Sequence, residues 1–165
     1  MVWSCLVSIL PGMAQTEKLT DYVNPFVGTD GYGNVYPGAQ IPFGGIQISP
    51  DTDSRFYDAA SGYKYNHLTL MGFSLTHLSG TGIPDLGDFL FIPGTGEMKL
   101  EPGTHEDPDQ GYRSRYSHDK EWASPNYYAV ELADYGVKAE MTSGVRSGMF
   151  RFTYCLLYTS DAADD

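Results

Sequence analysis

The sequence predicts an all-β fold, an antiparallel β-sandwich, and three observations predict it. Aromatic residues reach 14%, with 13 Tyr, and turn formers are plentiful, with 19 Gly and 10 Pro. Residues of those two kinds favour short strands joined by tight loops. No segment carries apolar residues at i, i+3, i+4 and i+7, the stripe of an amphipathic helix. Short alternating segments recur between Gly and Pro turns instead, the pattern of a sandwich. The chain has 165 residues, of which 41% are hydrophobic and 19% charged. That suits one domain with a buried core rather than a disordered chain.

The elements follow in order. Residues 22–45 (YVNPFVGTDGYGNVYPGAQIPFGG) read as a glycine-rich loop. Residues 44–49 (GGIQIS) alternate as a strand that Pro50 and the polar DTDSR run should end. Residues 63–74 (YKYNHLTLMGFS) have β-type composition, with Gly72 as a candidate bulge. Residues 88–92 (DFLFI) predict a short strand, PGTG a turn, and residues 97–100 a returning segment. Residues 102–110 form an acidic loop, and residues 111–117 (GYRSRYS) alternate. The clearest hairpin joins YYAVEL (127–132) to VKAEMT (137–142) through Asp134, Tyr135 and Gly136, because Gly accepts a positive φ. Residues 148–154 (GMFRFTY) predict the last strand.

A formal net charge of −11 excludes a phosphate-neutralising surface. It also speaks against anionic membranes and leaves neutral sugars or cations as compatible ligands. Residues 1–14 read as an N-truncated signal peptide: Val2 to Leu10 is apolar, and Gly12-Met13-Ala14 resembles a cleavage site before Gln15. The expected location is therefore periplasmic or secreted, without a membrane span. Residues 155–165 (CLLYTSDAADD) resemble the translation of a transposase sequencing adapter, so residues 15–154 are expected to be the natural domain. Without both ends the chain has no cysteine, hence no disulfide, CxxC metal site or thiol nucleophile.

Three motifs are candidates for chemistry. VGTDGYGNVYPG (27–38) is not a phosphate loop, since it lacks the GK[ST] ending and a framing strand and helix. It reads as a turn-rich loop, or as a surface where backbone approaches a sugar or another domain closely. THLSGTGIPDLGD (76–88) gathers His77, Ser79, Thr81, Asp85 and Asp88 among glycines. It reads as Asx and Ser/Thr turns, or as a set of hydroxyl-binding groups. Its spacing matches no calcium loop, and four His with no HxxxH pair point away from zinc. DTDSRFYD (51–58) mixes carboxylates, Arg55 and aromatics. Aromatic faces and charged hydrogen-bonding groups suit sugars, and the same run also suits a solvated turn. Glycosidases work with two carboxyl groups, and no pair stands out here.

Four segments together resemble the N-terminal domain of the family 92 glycoside hydrolases. They are YVNPFVGTDGYGNVYPGAQIPFGGIQISPDT, SGYKYNHLTLMGFSLTHLSGTGIPDLGD, YSHDKEWASPNYYAVELADYGVKAEMTS and RSGMFRFTY, in family order over residues 21–154. The resemblance implies a β-sandwich packed on a C-terminal (α/α)₆ barrel, with the active site between them. It implies a calcium-dependent, inverting exo-α-mannosidase acting on mannose-capped glycans. The general acid, the general base and most calcium ligands belong to the barrel, so no catalytic or metal residue is expected in this chain. Its expected partners are a mannose-containing glycan and that C-terminal domain.

By position, the resemblance implies that Asp53, Arg55, Tyr57, Asp58, His77, Gly80, Thr81, Asp85 and Asp88 face the sugar pocket. The chain departs from the family pattern at Asp53, where Arg is common, at Tyr57, where Trp is common, and at Ala60, where Cys is common. These changes leave the enzyme class intact and bear on linkage specificity. Two rival readings are a stand-alone carbohydrate-binding module and a purely structural interaction domain.

Overall fold

The computed structural model describes residues 17–53, 57–84 and 87–155. The expected signal peptide and the adapter-like residues after Cys155 lie outside them. Regular structure among the described residues is antiparallel strand with four short 3-10 turns. The strands are β1 (Ala39–Gln40), β2 (Gln47–Asp51), β3 (Thr69–Leu70), β4 (Gly72–Ser74), β5 (Ser114–Arg115), β6 (Glu121–Ser124), β7 (Tyr127–Leu132), β8 (Val137–Ser143) and β9 (Gly148–Tyr154). They form a four-stranded meander β6-β7-β8-β9, a three-stranded sheet β1-β2-β4 and a β3-β5 pair. The all-β expectation is met, and no described helix is long and apolar enough to cross a membrane.

The meander follows from period-two patterning. Tyr128, Val130 and Leu132 of β7 and Val137, Ala139 and Met141 of β8 are buried on one face. Phe150 and Phe152 of β9 continue that face, stacked with centroids 5.7 Å apart and reaching Phe73 of β4. Ile48, Leu70, Phe73, Tyr36 and Tyr63 close the core from the opposite side. The register β7–β8 runs Leu132↔Val137 to Tyr128↔Met141, and Gly136 takes φ +61 in the predicted hairpin loop. β6 went unpredicted because Glu121 and Trp122 interrupt any apolar run. Its turn is Pro125-Asn126, where Asn126 takes φ +61 and its side chain bonds Ser143.

Two expectations are corrected. Pro50 does not end β2; the strand continues to Asp51 and pairs with β4 as Pro50↔Phe73. Both backbone polar groups of Phe73 bond Phe91, so in this register Phe73 turns them away from Pro50. Pro50 correspondingly directs its hydrogen-free nitrogen away from β4, where nothing is lost. Residues 88–92 make only the single bridge Phe73↔Phe91 rather than a strand. Phe89 and Phe91 are both solvent-exposed, so no second apolar layer holds the segment straight.

The β1–β2 connection holds an unusual residue. Gly44 N–H donates to the Ile41 carbonyl across Pro42 and Phe43, and Phe43 has φ +58. Pro followed by a residue of positive φ is the type II arrangement, where Gly or Asn is favoured. Phe43 is wholly exposed, at 103%, so packing offers nothing against that strain. Phe43→Gly is expected to raise stability by about 1 kcal/mol, read as a higher urea midpoint at unchanged slope.

Candidate functional site

The three motif loops meet at one surface. Gly80 takes φ +74, and its N–H donates to the Asn34 carbonyl at 2.7 Å, joining the 76–88 loop to the glycine-rich loop. Tyr65 N–H donates to the Thr29 carbonyl, and Lys64 Nζ to the Gly31 carbonyl, holding that loop from the other side. Tyr57 stands in the 3-10 turn Tyr57–Ala59, exposed, with its ring 6.0 Å from that of Tyr32. The ring lies directly over Gly82: a Cβ there would fall 2.0 Å from Tyr57 Cε2. Glycine at 82 is therefore a condition of the arrangement. Thr81 Oγ1 accepts from Ile83 N–H, which shapes the tip. The result is an exposed aromatic pair beside a loop whose tip carries the Thr81 hydroxyl.

The remaining candidate residues lie elsewhere. Asp53 is fully buried, with Oδ2 3.5 Å from His105 Nε2. Asp88 is exposed at the far root of the 76–88 loop, accepting from Thr76 Oγ1 at 3.2 Å. Arg55, Asp85 and the side chain of Asp58 fall outside the described residues. His77 is buried below the surface. Its Nδ1 lies 2.7 Å from the Gln47 carbonyl, and its Nε2 lies 2.9 Å from Asp51 Oδ1 and 3.0 Å from Ser74 Oγ. Ser74 Oγ donates to Asp51 Oδ2 at 2.6 Å. Burial alone lowers the affinity of the ring for a proton. The Asp51 carboxylate and the Gln47 carbonyl outweigh it and hold the pKa above the ordinary value.

Two more polar clusters brace the site from below. Thr52 Oγ1 accepts from Lys64 N–H and contacts His67 Nδ1 at 3.0 Å, while Arg113 Nη1 donates to the Thr52 carbonyl. His105 Nδ1 contacts Thr69 Oγ1 at 2.8 Å, and its ring lies 4.0 Å from that of His67. Burial and neighbouring Arg113 lower the His105 pKa, against the opposing pull of Asp53. Further in, the side chain of Glu121 is buried and accepts from Tyr63 Oη and Tyr128 Oη, with His118 Nδ1 at 2.6 Å. Burial, reinforced by the Glu121 charge, pushes both tyrosine pKa values far up, so both hydroxyls stay donors.

Sequence reasoning named the 27–38, 51–58 and 76–88 motifs without singling out Tyr32, Asn34, Asp51 or Gly82 within them, and it left out Ser74. Their positions depend on which loop crosses which, and no local spacing encodes that. The one local signal was the residue type at Asn34, since Asn tolerates the positive φ (+48) that it takes here.

A cleft of about 110 Å³ opens beside Asp51, Gly62, Ser74, His77 and Leu90. It is lined by groups already bonded to one another, so it has little left to offer a large ligand. The carboxylates described here are likewise engaged: Asp51 with His77 and Ser74, Asp53 with His105, Glu121 with two tyrosines and His118. Among the described residues no three His, Cys, Asp or Glu side chains are grouped to hold a metal ion.

The comparisons with known proteins agree with this architecture. The family model described as the glycosyl hydrolase family 92 N-terminal domain matches residues 22–160. A protein of Arthroderma benhamiae, named as an uncharacterized secreted glycosidase, is 30% identical over 135 residues, covering 81% of this chain and 17% of its own length. The solved structure of ccman5, a family 92 glycosyl hydrolase, is 31% identical with a TM-score of 0.68, over 81% of this chain and 18% of its own. A family 92 inverting mannosidase of Bacteroides thetaiotaomicron shares the fold at 23% identity and a TM-score of 0.60, over 86% and 19%. This chain thus spans less than a fifth of the length of each. The match over residues 22–160, carried on the same antiparallel framework, means that the chain belongs to glycosyl hydrolase family 92, as its N-terminal domain.

Proposed function

We propose that this chain is the pocket-shaping β-domain of an exported exo-α-mannosidase that removes terminal α-linked mannose with inversion. The observation that carries the reading is the meeting of three loops, by which Tyr57, Gly80 and Thr81 come to share one surface with Tyr32 and Asn34. An exposed tyrosine pair offers apolar faces to the C–H side of a sugar. The adjacent Thr81 hydroxyl, which accepts from Ile83 and keeps its own hydrogen, offers a hydrogen bond to the sugar's hydroxyls. Family membership and the naming of one structural relative as an inverting mannosidase support the chemistry. The name of another relative, a secreted glycosidase, supports export.

The acid and base of such a reaction are assigned to the rest of the protein, as is calcium. The buried carboxylates of Asp51, Asp53 and Glu121 do not fit a calcium site, because each already faces a histidine, serine or tyrosine. This chain contributes shape: a wall for the glycan and a surface for the domain that follows. Leu78, Ile83, Phe89, Met98 and Leu100 are exposed along residues 78–100 and suit cover by that domain.

Three measurements test the reading. The full-length protein is expected to release mannose from α-mannosyl glycans as the β-anomer, seen by NMR immediately after cleavage, and the 165-residue chain alone to release none. A full-length protein inactive on every α-mannoside would overturn it. Gly82→Ala in the full-length protein drives a methyl into Tyr57, and a loss of at least tenfold in kcat/KM is expected; unchanged kinetics would remove Tyr57 from the pocket. The chain alone is expected to self-associate by light scattering, because exposed apolar side chains drive association. A monodisperse monomer that binds mannose by calorimetry would favour the stand-alone binding module instead.

A further inference from the structure

Hydrogen-bond bookkeeping around His77 points to a stored proton. A neutral imidazole carries one N–H, so one ring nitrogen must accept. Here both nitrogens face acceptors. Nδ1 lies 2.7 Å from the Gln47 carbonyl oxygen, which cannot donate. Nε2 lies 2.9 Å from Asp51 Oδ1. Ser74 cannot repair the mismatch, since its hydroxyl hydrogen is used on Asp51 Oδ2 at 2.6 Å. Either neutral tautomer sets a bare nitrogen against an oxygen lone pair inside a buried site, where such a mismatch is costly. One added proton, held on the ring or shared with Asp51, satisfies every contact.

We propose that Asp51, Ser74 and His77 hold one buried proton that ties the root of the 76–88 loop to β2, and that losing it as pH rises frees the loop bearing Gly80 and Thr81. His77 is then a positioning residue rather than a sugar contact. The construction fits the role. Gln47 and Asp51 stand at the two ends of β2, and the ring bridges them. Just beyond it, Thr76 accepts the Gly87 N–H on its carbonyl at 3.0 Å and donates from Oγ1 to Asp88, closing the loop at its base. Gly62 leaves the room required: a Cβ there would lie 2.3 Å from Asp51 Oδ1 and 3.0 Å from the His77 ring.

The titratable groups that face the ring are Asp51 from β2 and Tyr36, whose ring lies 5.1 Å away. Burial pushes the Tyr36 pKa up to about 12, so it stays neutral over the range concerned. β4 contributes Ser74 and the turn before β3 contributes Gly62, and neither changes charge. The sign follows from linkage. The raised folded-state affinity of His77 stabilises the fold fully below the unfolded imidazole pKa of about 6.5. That contribution is lost as pH climbs through the folded value.

The test uses the full-length protein and reads exchange, not activity, so it does not depend on the mannosidase reading. Histidine C2-hydrogen exchange by mass spectrometry gives the His77 titration midpoint, and backbone amide exchange gives the protection of residues 78–88. The midpoint is expected above about 6.5, with protection of the loop falling through the same midpoint while β7 and β8 stay protected. Asp51→Asn is expected to bring the midpoint below that value, because the amide can donate to a neutral ring. A midpoint at or below the ordinary value in the unaltered chain would overturn the proposal. So would loop protection that does not change across it. Should Asp51→Asn fail to fold, Ser74→Ala, which removes one acceptor and leaves the carboxylate, is expected to lower the midpoint by a smaller step.

Discussion

Three consecutive polar residues, Asp51, Thr52 and Asp53, run into the interior, and the loop side of the molecule hangs from them. All three are buried, at 5%, 0% and 0% exposure. Burying such a row is costly unless every group is bonded. Each residue finds its partner on a different part of the chain: Asp51 on His77 and Ser74, Thr52 on Gly62, Lys64, His67 and Arg113, Asp53 on His105. The requirement for satisfaction thereby fixes where four separate segments must sit. Backbone bonds from Thr52 and Asp53 N–H to the Gly62 carbonyl complete the anchoring.

The apolar half of the molecule obeys a different logic. The meander β6-β7-β8-β9 needs only alternation and tight turns, and it buries one face against Ile48, Leu70 and Phe73. The two halves are sewn together by Glu121. It sits at the start of β6 yet accepts from Tyr63, in the loop ahead of β3, and from Tyr128 of β7. A buried carboxylate with one partner removed is strongly destabilising. This contact therefore sets the spacing of the layers as much as the apolar packing does, and the glycine-rich surface inherits its position from it.

That division explains what was legible in the sequence. The hairpin of β7 and β8 and the strand β9 were readable residue by residue, because period-two burial and Gly136 are local signals. The loops were recognisable as belonging together only through the family resemblance. Nothing in DTDSRFYD says that Asp53 turns inward to His105 while Tyr57 turns outward to Tyr32. Those directions follow from which loop crosses which, a long-range property. Pro50 misled for a related reason: a proline ends a strand only when its missing N–H faces a partner, and here the bond from Phe73 goes to Phe91. His77 lay in the right loop, but its burial beneath that loop's surface depends on Gly62, a residue that carries no chemistry of its own.

Two aspartate–histidine pairs, one at the end of β2 and one just past it, show how little pairing alone decides. Asp51, the last residue of β2, pairs with His77, and Asp53, two residues further on, with His105; the histidine is shifted upward in the first pair and downward in the second. Burial acts in the same direction on both rings. The difference lies in the remaining contacts. His77 has an oxygen acceptor close to each nitrogen, at 2.7 and 2.9 Å. His105 meets its carboxylate at 3.5 Å, meets a hydroxyl that can donate or accept, and lies near the Arg113 guanidinium. At His105 the Thr69 hydroxyl can meet Nδ1 in either tautomer while Nε2 makes no hydrogen bond, whereas at His77 a neutral ring leaves one nitrogen against an acceptor. The Asp51–Asp53 run therefore places a histidine that holds its proton more tightly under the loop with Gly80 and Thr81 and one that holds it less tightly beside it. Titration of His77 then acts on the loop side, while the buried face of β7 and β8, made of Tyr128, Val130, Leu132, Val137, Ala139 and Met141, carries no histidine to respond.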